Sequence, residues 1–352
     1  MARPRVSVLL PTHNRADVLG LAIASVLSQS EPDFELLIVA DGCTDGTREV
    51  VTGFSDRRIR LFDLPKAPHF GYANRNIALR EARGELVAYA AHDDLMLPDH
   101  LQLLADLLRR TRLDWGYSRP LWVSSDGVIV PFCTNLALAD ELQHFLGGGN
   151  TIPSCCVVHS RVALERAGYW PQDLPSGADW ALWRRMIGAS PGSIAYQREP
   201  TSLHFSADWK RSRFSGMTEV KTLLAIASGA PWWPAILRHP PAGEPEQAAI
   251  WRAIEAGGAA WVAELRQATG TVVDRLAWTA VRDLLPGLDQ ATADLASTRA
   301  EVDAARAEVA AMRASASWRV TRPLRGLVAR LRAWGSRLVR WCKRLIAATN
   351  GG

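Results

Sequence analysis

From residue 6 to residue 91 the chain alternates short apolar runs with amphipathic stretches. The runs "VSVLL" (6–10), "FELLIVA" (34–40), "IRLF" (59–62) and "ELVAYAA" (85–91) are of strand length and nearly uncharged. Between them "ADVLGLAIASVLSQS" (16–30), "DGTREVVTGF" (45–54) and "ANRNIALREAR" (73–83) space their apolar residues as helices do. Strand, helix and strand in steady succession predict a mostly parallel sheet with helices on both faces. Ligands of such sheets bind outside the carboxyl ends of the strands, which directs attention to residues 12–15, 41–44 and 92–94.

Beyond Trp115 the pattern breaks into shorter pieces. "WGYSRPLWVSSDGVIVPF" reads as a hairpin around Asp126-Gly127, "GGGNTIPSCCVVHS" as a loop entering a strand and "ADWALWRRMIG" as a helix. Residues 1–215 thus form one expected domain, and 216–286, rich in Ala and Trp, a helical extension. In 287–316, Leu288, Leu295, Val302 and Val309 recur every seven residues, with Ala291, Thr298, Ala305 and Met312 between them. That is a weak coiled coil, because its second seam is small or polar, and a route to self-association. In 317–352, Leu324, Leu327, Leu331, Trp334, Leu338, Trp341 and Leu345 alternate spacings of three and four among arginines. This basic amphipathic helix suits an anionic membrane surface, the other reading being a helix packed on its own domain or a partner.

Composition narrows the class. At 352 residues, 48% hydrophobic and 22% charged, the chain is globular with about two domains' worth of core. No apolar run approaches the ~18 residues of a membrane span, and no export signal is evident, so a cytoplasmic, peripheral protein is expected. The net charge of +5 is uneven: residues 309–352 hold ten basic residues and no acid, leaving −5 for the rest. Nucleic acid is therefore not an expected partner of the body. Cys43, Cys133, Cys155, Cys156 and Cys342 lack metal-type spacing and suit a reducing compartment without structural zinc.

Candidate chemistry gathers at the strand ends. Asp93 and Asp94 stand side by side after a buried run, where their repulsion needs a cation, a donor or a raised pKa. Asp41 ends the second strand, while Asp45 or Thr47 suits the cap of the helix that follows. Thr12, His13, Asn14 and Arg15 supply loop donors or turn residues after the first strand. Asn74 and Arg75 at a helix start suit a diphosphate, whereas Arg80 and Arg83 read as solvated. Asp179 serves as a helix cap or a catalytic carboxylate, and His204 as a structural histidine or a ligand. Asn150 and Ser154 lie in the loop that enters a strand. Trp170, Trp180, Trp183 and Trp209 are core residues or flat aromatic binding faces, and Lys210, Arg211 and Arg213 form a basic face or a phosphate loop.

In order, "VSVLLPTHNR", "LLIVADGCTDGT", "GYANRNIALREARGELVAYAAHDDLMLPDHL", "NTIPSCCVVHSRVALERAGYW" and "SGADWALWRRM" resemble the family-2 glycosyltransferases of GT-A fold over roughly residues 5–210. "SASWRVTRPLR" also resembles endings of bacterial polysaccharide glycosyltransferases. The resemblance implies an inverting enzyme that moves a sugar from a nucleoside-diphosphate donor, UDP or dTDP favoured, to a glycan or lipid-linked acceptor. It gives Asp41 the nucleobase, Arg75 and Asn74 the donor pocket and Asp93 the ribose. It gives Asp94 a Mn²⁺ or Mg²⁺ ion, with His204 nearby, and Asp179 the role of base. His92 and Ala178 replace the family's more usual acids, which leaves an inactive carbohydrate-binding or assembly module as an alternative. A nucleotidyltransferase would carry a glycine-rich loop that "LLPTHNRAD" lacks.

Overall fold

A computed structural model describes residues 3–189, 192, 194–205 and 218–315. The chain runs β1 (Val6–Thr12), α1 (Ala16–Leu27), β2 (Phe34–Asp41), α2 (Thr47–Thr52), β3 (Ile59–Leu64), α3 (Tyr72–Arg80), β4 (Leu86–Tyr89), β5 (Leu95–Met96) and α4 (His100–Thr111). It continues with β6 (Trp115–Ser118), β7 (Leu121–Val123), β8 (Ile129–Pro131), α5 (Ala139–Gly147), β9 (Val157–Ser160), α6 (Arg161–Ala167) and α7 (Ala178–Ala189). Last come β10 (Ile194–Gln197), β11 (Ser202–Phe205), α8 (Thr218–Gly229) and α9 (Glu246–Ala314). Two compact units result, residues 1–276 and 277–352.

The first unit is built on a seven-stranded sheet in the order β10-β6-β9-β4-β1-β2-β3. All neighbours are parallel except β9, which runs antiparallel to β4 and β6. This is the mixed, mostly parallel GT-A arrangement expected from the sequence, with helices on both faces. Alternate residues of β1 serve two cores: Val6, Val8 and Leu10 join α1 and α2 on one face, and Leu9 joins α3 and α7 on the other. Burial on both faces explains why these strands are near-continuous apolar runs. In register, Thr12 lies opposite Ala40 and Leu9 opposite Tyr89. The loops after β1, β2 and β4 therefore open at one edge.

The segment expected as a single hairpin is divided between two sheets. β6 stays in the large sheet, and after Arg119-Pro120 the chain leaves it to form the β7–β8 hairpin of a four-stranded sheet, β5-β11-β7-β8. Pro120 has no N–H to continue the β6 ladder, and the turn itself is where expected, with Gly127 at φ 76°. α8 and the residues of α9 up to Leu276 pack their apolar side chains, Ile250 and Leu265 among them, on Leu95, Leu121, Ile129 and Leu203 of this small sheet. Arg266 fixes them by a fork onto both oxygens of Asp99, 2.7 Å each. Pairing of Leu203 with Leu95 draws the residue before β5, Asp94, beside His204 of β11.

In the second unit, every described residue from Val281 to Ser315 is exposed, including Leu288 and Leu295 at 63% and 70%. No helix among the described residues is long and apolar enough to cross a membrane. The basic segment 317–352 lies outside the described residues.

Candidate functional site

A cleft of about 860 Å³ opens at the carboxyl ends of β1 and β2, lined by residues of the β1 loop, Asp41, Lys66, Arg75 and His92. Asp41 is buried at the end of β2 and held from several sides. Its Oδ1 accepts the Ala67 N–H at 2.8 Å and the Asn74 amide at 2.6 Å, and its Oδ2 accepts Lys66 Nζ. Asn74 also donates to the Pro65 carbonyl at 2.8 Å, so its amide positions Asp41 from the first turn of α3. Gly71, the residue before α3, has φ 71°, and a Cβ there would overlap the Asp41 carboxylate. Glycine is required here on both counts.

The β1 loop is laced to the loop after β2. His13 Nδ1 bonds the Asp41 carbonyl at 2.8 Å, and Asn14, in the left-handed region at φ 50°, accepts the Thr44 N–H at 2.7 Å. Asn14 is therefore a turn residue at the cleft wall. Asp45 bonds the starts of two helices, accepting Ala16 N–H at 3.0 Å and Thr47 N–H at 3.1 Å. Thr12 Oγ1 is buried beside the cleft with no hydrogen-bond partner among the described residues. Arg15 pairs with Asp17 at 3.0 Å and reaches to 3.8 Å from Asp93.

Arg75 lies over the faces of Tyr72 and Trp170, 5.3 and 4.8 Å from the ring centres, and donates to the Phe70 carbonyl at 3.1 Å. Its Nε has no hydrogen-bond partner among the described residues. Burial lowers its pKa, opposed by Tyr72 and by the carboxylates of Asp179 and Asp41. A cation set on aromatic faces near two carboxylates puts a fixed positive charge at the cleft wall.

Asp179 is the second residue of α7, and its Oδ2 accepts the Asn150 amide at 3.1 Å. It keeps some contact with solvent but is densely surrounded by protein, and that desolvation raises its carboxyl pKa. The Trp180 N–H and the charge of Arg75 oppose the rise. A carboxylate with a raised pKa beside a cleft-lining arginine is suited to take up a proton.

The adjacent acids part company in the fold. Asp93 is buried beside His92, whose Nε2 is 4.0 Å from its carboxylate, and the Asp93 carbonyl accepts Gln247 of α9 at 3.4 Å. Asp94 faces β11, with Oδ1 accepting the Phe205 N–H at 3.1 Å and Oδ2 bonded to His204 Nδ1 at 2.9 Å. The His204 ring stands edge-on to Trp122, 4.5 Å between centres. Cys155 completes a group in which candidate ligand atoms of Asp94, Cys155 and His204 all lie within 4.8 Å of one another. Burial, and then the neighbouring Cys156 and Asp94, push the Cys155 thiol up, so it stays protonated and is the weakest of the three as a ligand.

Cys155, Lys66 and the loop residues His69 and Phe70 are site residues that sequence reasoning missed, since nothing in their spacing marks them. Asp99 precedes α4 but makes no side-chain cap, its carboxylate being given to Arg266. Trp170 and Trp183 are buried in the core around Tyr89, and Trp180 is half-buried with its indole N–H on the Phe145 carbonyl, 2.6 Å. Arg80 is exposed over Tyr169, and Arg83 pairs with Glu35 at 3.0 Å. Trp209, Lys210, Arg211 and Arg213 lie outside the described residues.

Comparison with known proteins places the chain in a family. A profile described as Glycosyl transferase family 2 matches residues 7–127. The chain is 30% identical over 197 residues to TuaG of Bacillus subtilis, a glycosyltransferase named for teichuronic acid biosynthesis, covering 55% of this chain and 75% of that protein. It is 29% identical over 184 residues to WfgD of Escherichia coli, a UDP-Glc:alpha-D-GlcNAc-diphosphoundecaprenol beta-1,3-glucosyltransferase, covering 52% and 69%. An uncharacterized glycosyltransferase of Rickettsia felis matches at 27% over 188 residues, 51% of this chain, and the chain spans 29% of its length. Among solved structures, S. aureus TarS 1–349 in complex with UDP-GlcNAc aligns with a TM-score of 0.49 at 19% identity, covering 58% of this chain and 59% of that one. With a relative this similar covered over three quarters of its length, the chain belongs to glycosyl transferase family 2.

Proposed function

We propose that the protein transfers a sugar, with inversion, from a UDP- or dTDP-linked donor to a glycan or lipid-linked acceptor. The observation that carries this reading is a chain of charges drawn from strands and helices far apart in sequence: Arg75, which lines the cleft with Asp41, acts on both Asp41 and Asp179, and His204, bonded to Asp94, acts on Asp179 as well. Asp41, fixed by Lys66, Ala67 and Asn74, presents a carboxylate to the imide N–H of uracil or thymine. Arg75 offers its guanidinium to the diphosphate, and Thr12, Asn14 and Arg15 wall the nucleotide. Asp93 faces the ribose. Asp179, oriented by Asn150, accepts the proton of the acceptor hydroxyl as that oxygen attacks the anomeric carbon, while the bond from the anomeric carbon to the diphosphate oxygen breaks.

A divalent ion fits beside Asp94. The carboxylate and the His204 imidazole are close enough to share one, and the mixed oxygen and nitrogen donors favour Mn²⁺ over Mg²⁺. Such an ion supplies charge neutralisation to the leaving diphosphate. The lipid-linked acceptor is suggested by the name of the Escherichia coli relative. A peripheral place on the cytoplasmic face of the membrane, through the basic segment 317–352, and self-association through 287–316 belong to the same reading. Calorimetric titration of UDP and dTDP with Mn²⁺ and with chelator tests it. Affinity should be much higher with metal, and Asp94→Ala should abolish the difference; equal affinity in both conditions would overturn the metal role.

A further inference from the structure

Resting on the self-association proposed above, we infer that residues 288–313 form a parallel, in-register, two-stranded coiled coil with a second copy of this chain. Three observations carry it. The stripe is apolar and open: Leu288, Leu295, Val302, Val309 and Met312 are 63, 70, 43, 41 and 47% exposed on a helix that continues to Ala314. Its period is seven, which fixes Leu288, Leu295, Val302 and Val309 as one seam and Ala291, Thr298, Ala305 and Met312 as the other.

The third observation is charge, and it decides both partner and direction. Asp294, Glu301 and Glu308 each precede a residue of the first seam, and Arg299, Arg306 and Arg313 each follow a residue of the second. In a parallel in-register pair, the residue before one seam meets the partner's residue five positions further on. Asp294 then faces the partner's Arg299, Glu301 faces the partner's Arg306 and Glu308 faces the partner's Arg313, with the same pairs repeated by symmetry. An antiparallel pair sets acids against acids and arginines against arginines. Within the chain, only Arg306 of these arginines has a carboxylate partner among the described residues, Asp303 at 3.5 Å. The outward positions Ala293, Ala300, Ala307 and Ala314 are all alanine, the best helix former, so the helix needs no further contact on its far side. Small residues in the second seam let the two axes approach closely. Parallel pairing also sends the residues after 315 of both copies from the same end, doubling the basic charge offered to one surface.

Sedimentation equilibrium of the full chain from roughly 1 to 100 μM is expected to show a mass rising toward two chains. Leu295→Asp with Val302→Asp should leave one chain at every concentration. The triple variants Arg299→Glu/Arg306→Glu/Arg313→Glu and Asp294→Arg/Glu301→Arg/Glu308→Arg should each weaken pairing at least about tenfold, and their mixture should restore it. For direction, Leu288→Cys in a chain with Cys133→Ser and Cys342→Ser should form a disulfide to its own copy on mild oxidation. A single-chain mass throughout overturns self-association, a three-chain mass overturns the pair, and pairing indifferent to the seam variants moves the interface elsewhere. Cross-linking of Leu288→Cys to Met312→Cys in a mixture, but not to itself, overturns the parallel direction. None of these readouts involves nucleotide binding, so this inference and the proposed activity can fail separately.

Discussion

Asp179 meets two demands at once. It lies in the first turn of α7, where backbone N–H groups favour a carboxylate, and its surroundings desolvate it enough to raise its pKa. Asp179→Asn keeps an acceptor oxygen for the helix start while removing the base. We expect nearly unchanged UDP affinity and stability with transfer lowered by about two to four orders of magnitude, read by turnover with saturating donor. Wild-type turnover would reduce Asp179 to a structural carboxylate. Gly71 sets a second residue-scale constraint. Gly71→Ala places a side chain at φ 71° against Asp41. The backbone conformation alone should cost about 1–2 kcal/mol in urea unfolding, with a larger relative loss of nucleotide affinity because Asp41 must move.

At the scale of elements, the two most deeply buried histidines sit at junctions. His100 begins α4 and bonds Thr201 Oγ1 at 2.8 Å, and His159 on β9 bonds the Tyr89 hydroxyl at 2.6 Å. Burial pushes both down to about 4, well below the ordinary 6.5, so the fold holds them neutral. Between those values the unfolded chain binds more protons than the folded one. Their contribution is therefore complete above pH 6.5 and is lost as pH falls toward 4. The thermal midpoint should drop between pH 7 and pH 5, and His100→Gln should show a shallower drop over that range; an unchanged slope would mean that His100 titrates normally. Arg266→Ala removes the fork that ties α9 to the start of α4. Because the pair is partly exposed, a loss of about 1 kcal/mol is expected by denaturant titration.

For the molecule as a whole, the proposed transfer raises the question of how a cleft built in residues 1–205 would meet an acceptor. In sequence the basic segment after residue 316 spaces seven apolar residues by threes and fours, and its arginines should each add about 1 kcal/mol of attraction near an anionic leaflet. Removing 317–352 should therefore leave donor hydrolysis intact and weaken transfer to a membrane-embedded acceptor. Flotation should find the full chain on anionic vesicles, less at high salt, and not on neutral ones. No binding to either would assign the segment to protein contacts.

The sequence by itself determined the large sheet and the places to look. Burial on both faces imposes apolar runs that are local and countable, and β1, β2 and β3 each appear within two residues of where those runs stand. The rule that ligands sit at strand ends then reached Thr12 and Asp41, which line the cleft, without coordinates. Tertiary structure alone decided the rest. The four-stranded sheet exists because Leu203 pairs with Leu95 on one side and with Leu121 of the hairpin on the other, and no local period encodes partners so distant in the chain. That pairing brings His204 onto Asp94, and the turn before β9 adds Cys155, which spacing along the chain had set aside. Asn74 read as a free donor at a helix start, and only the fold of the loop after β3 engages its amide on Asp41 and Pro65. Periodicity reports which side of an element is buried. What lies against that side is settled by register and topology, which are sums of weak contacts between segments distant in the chain.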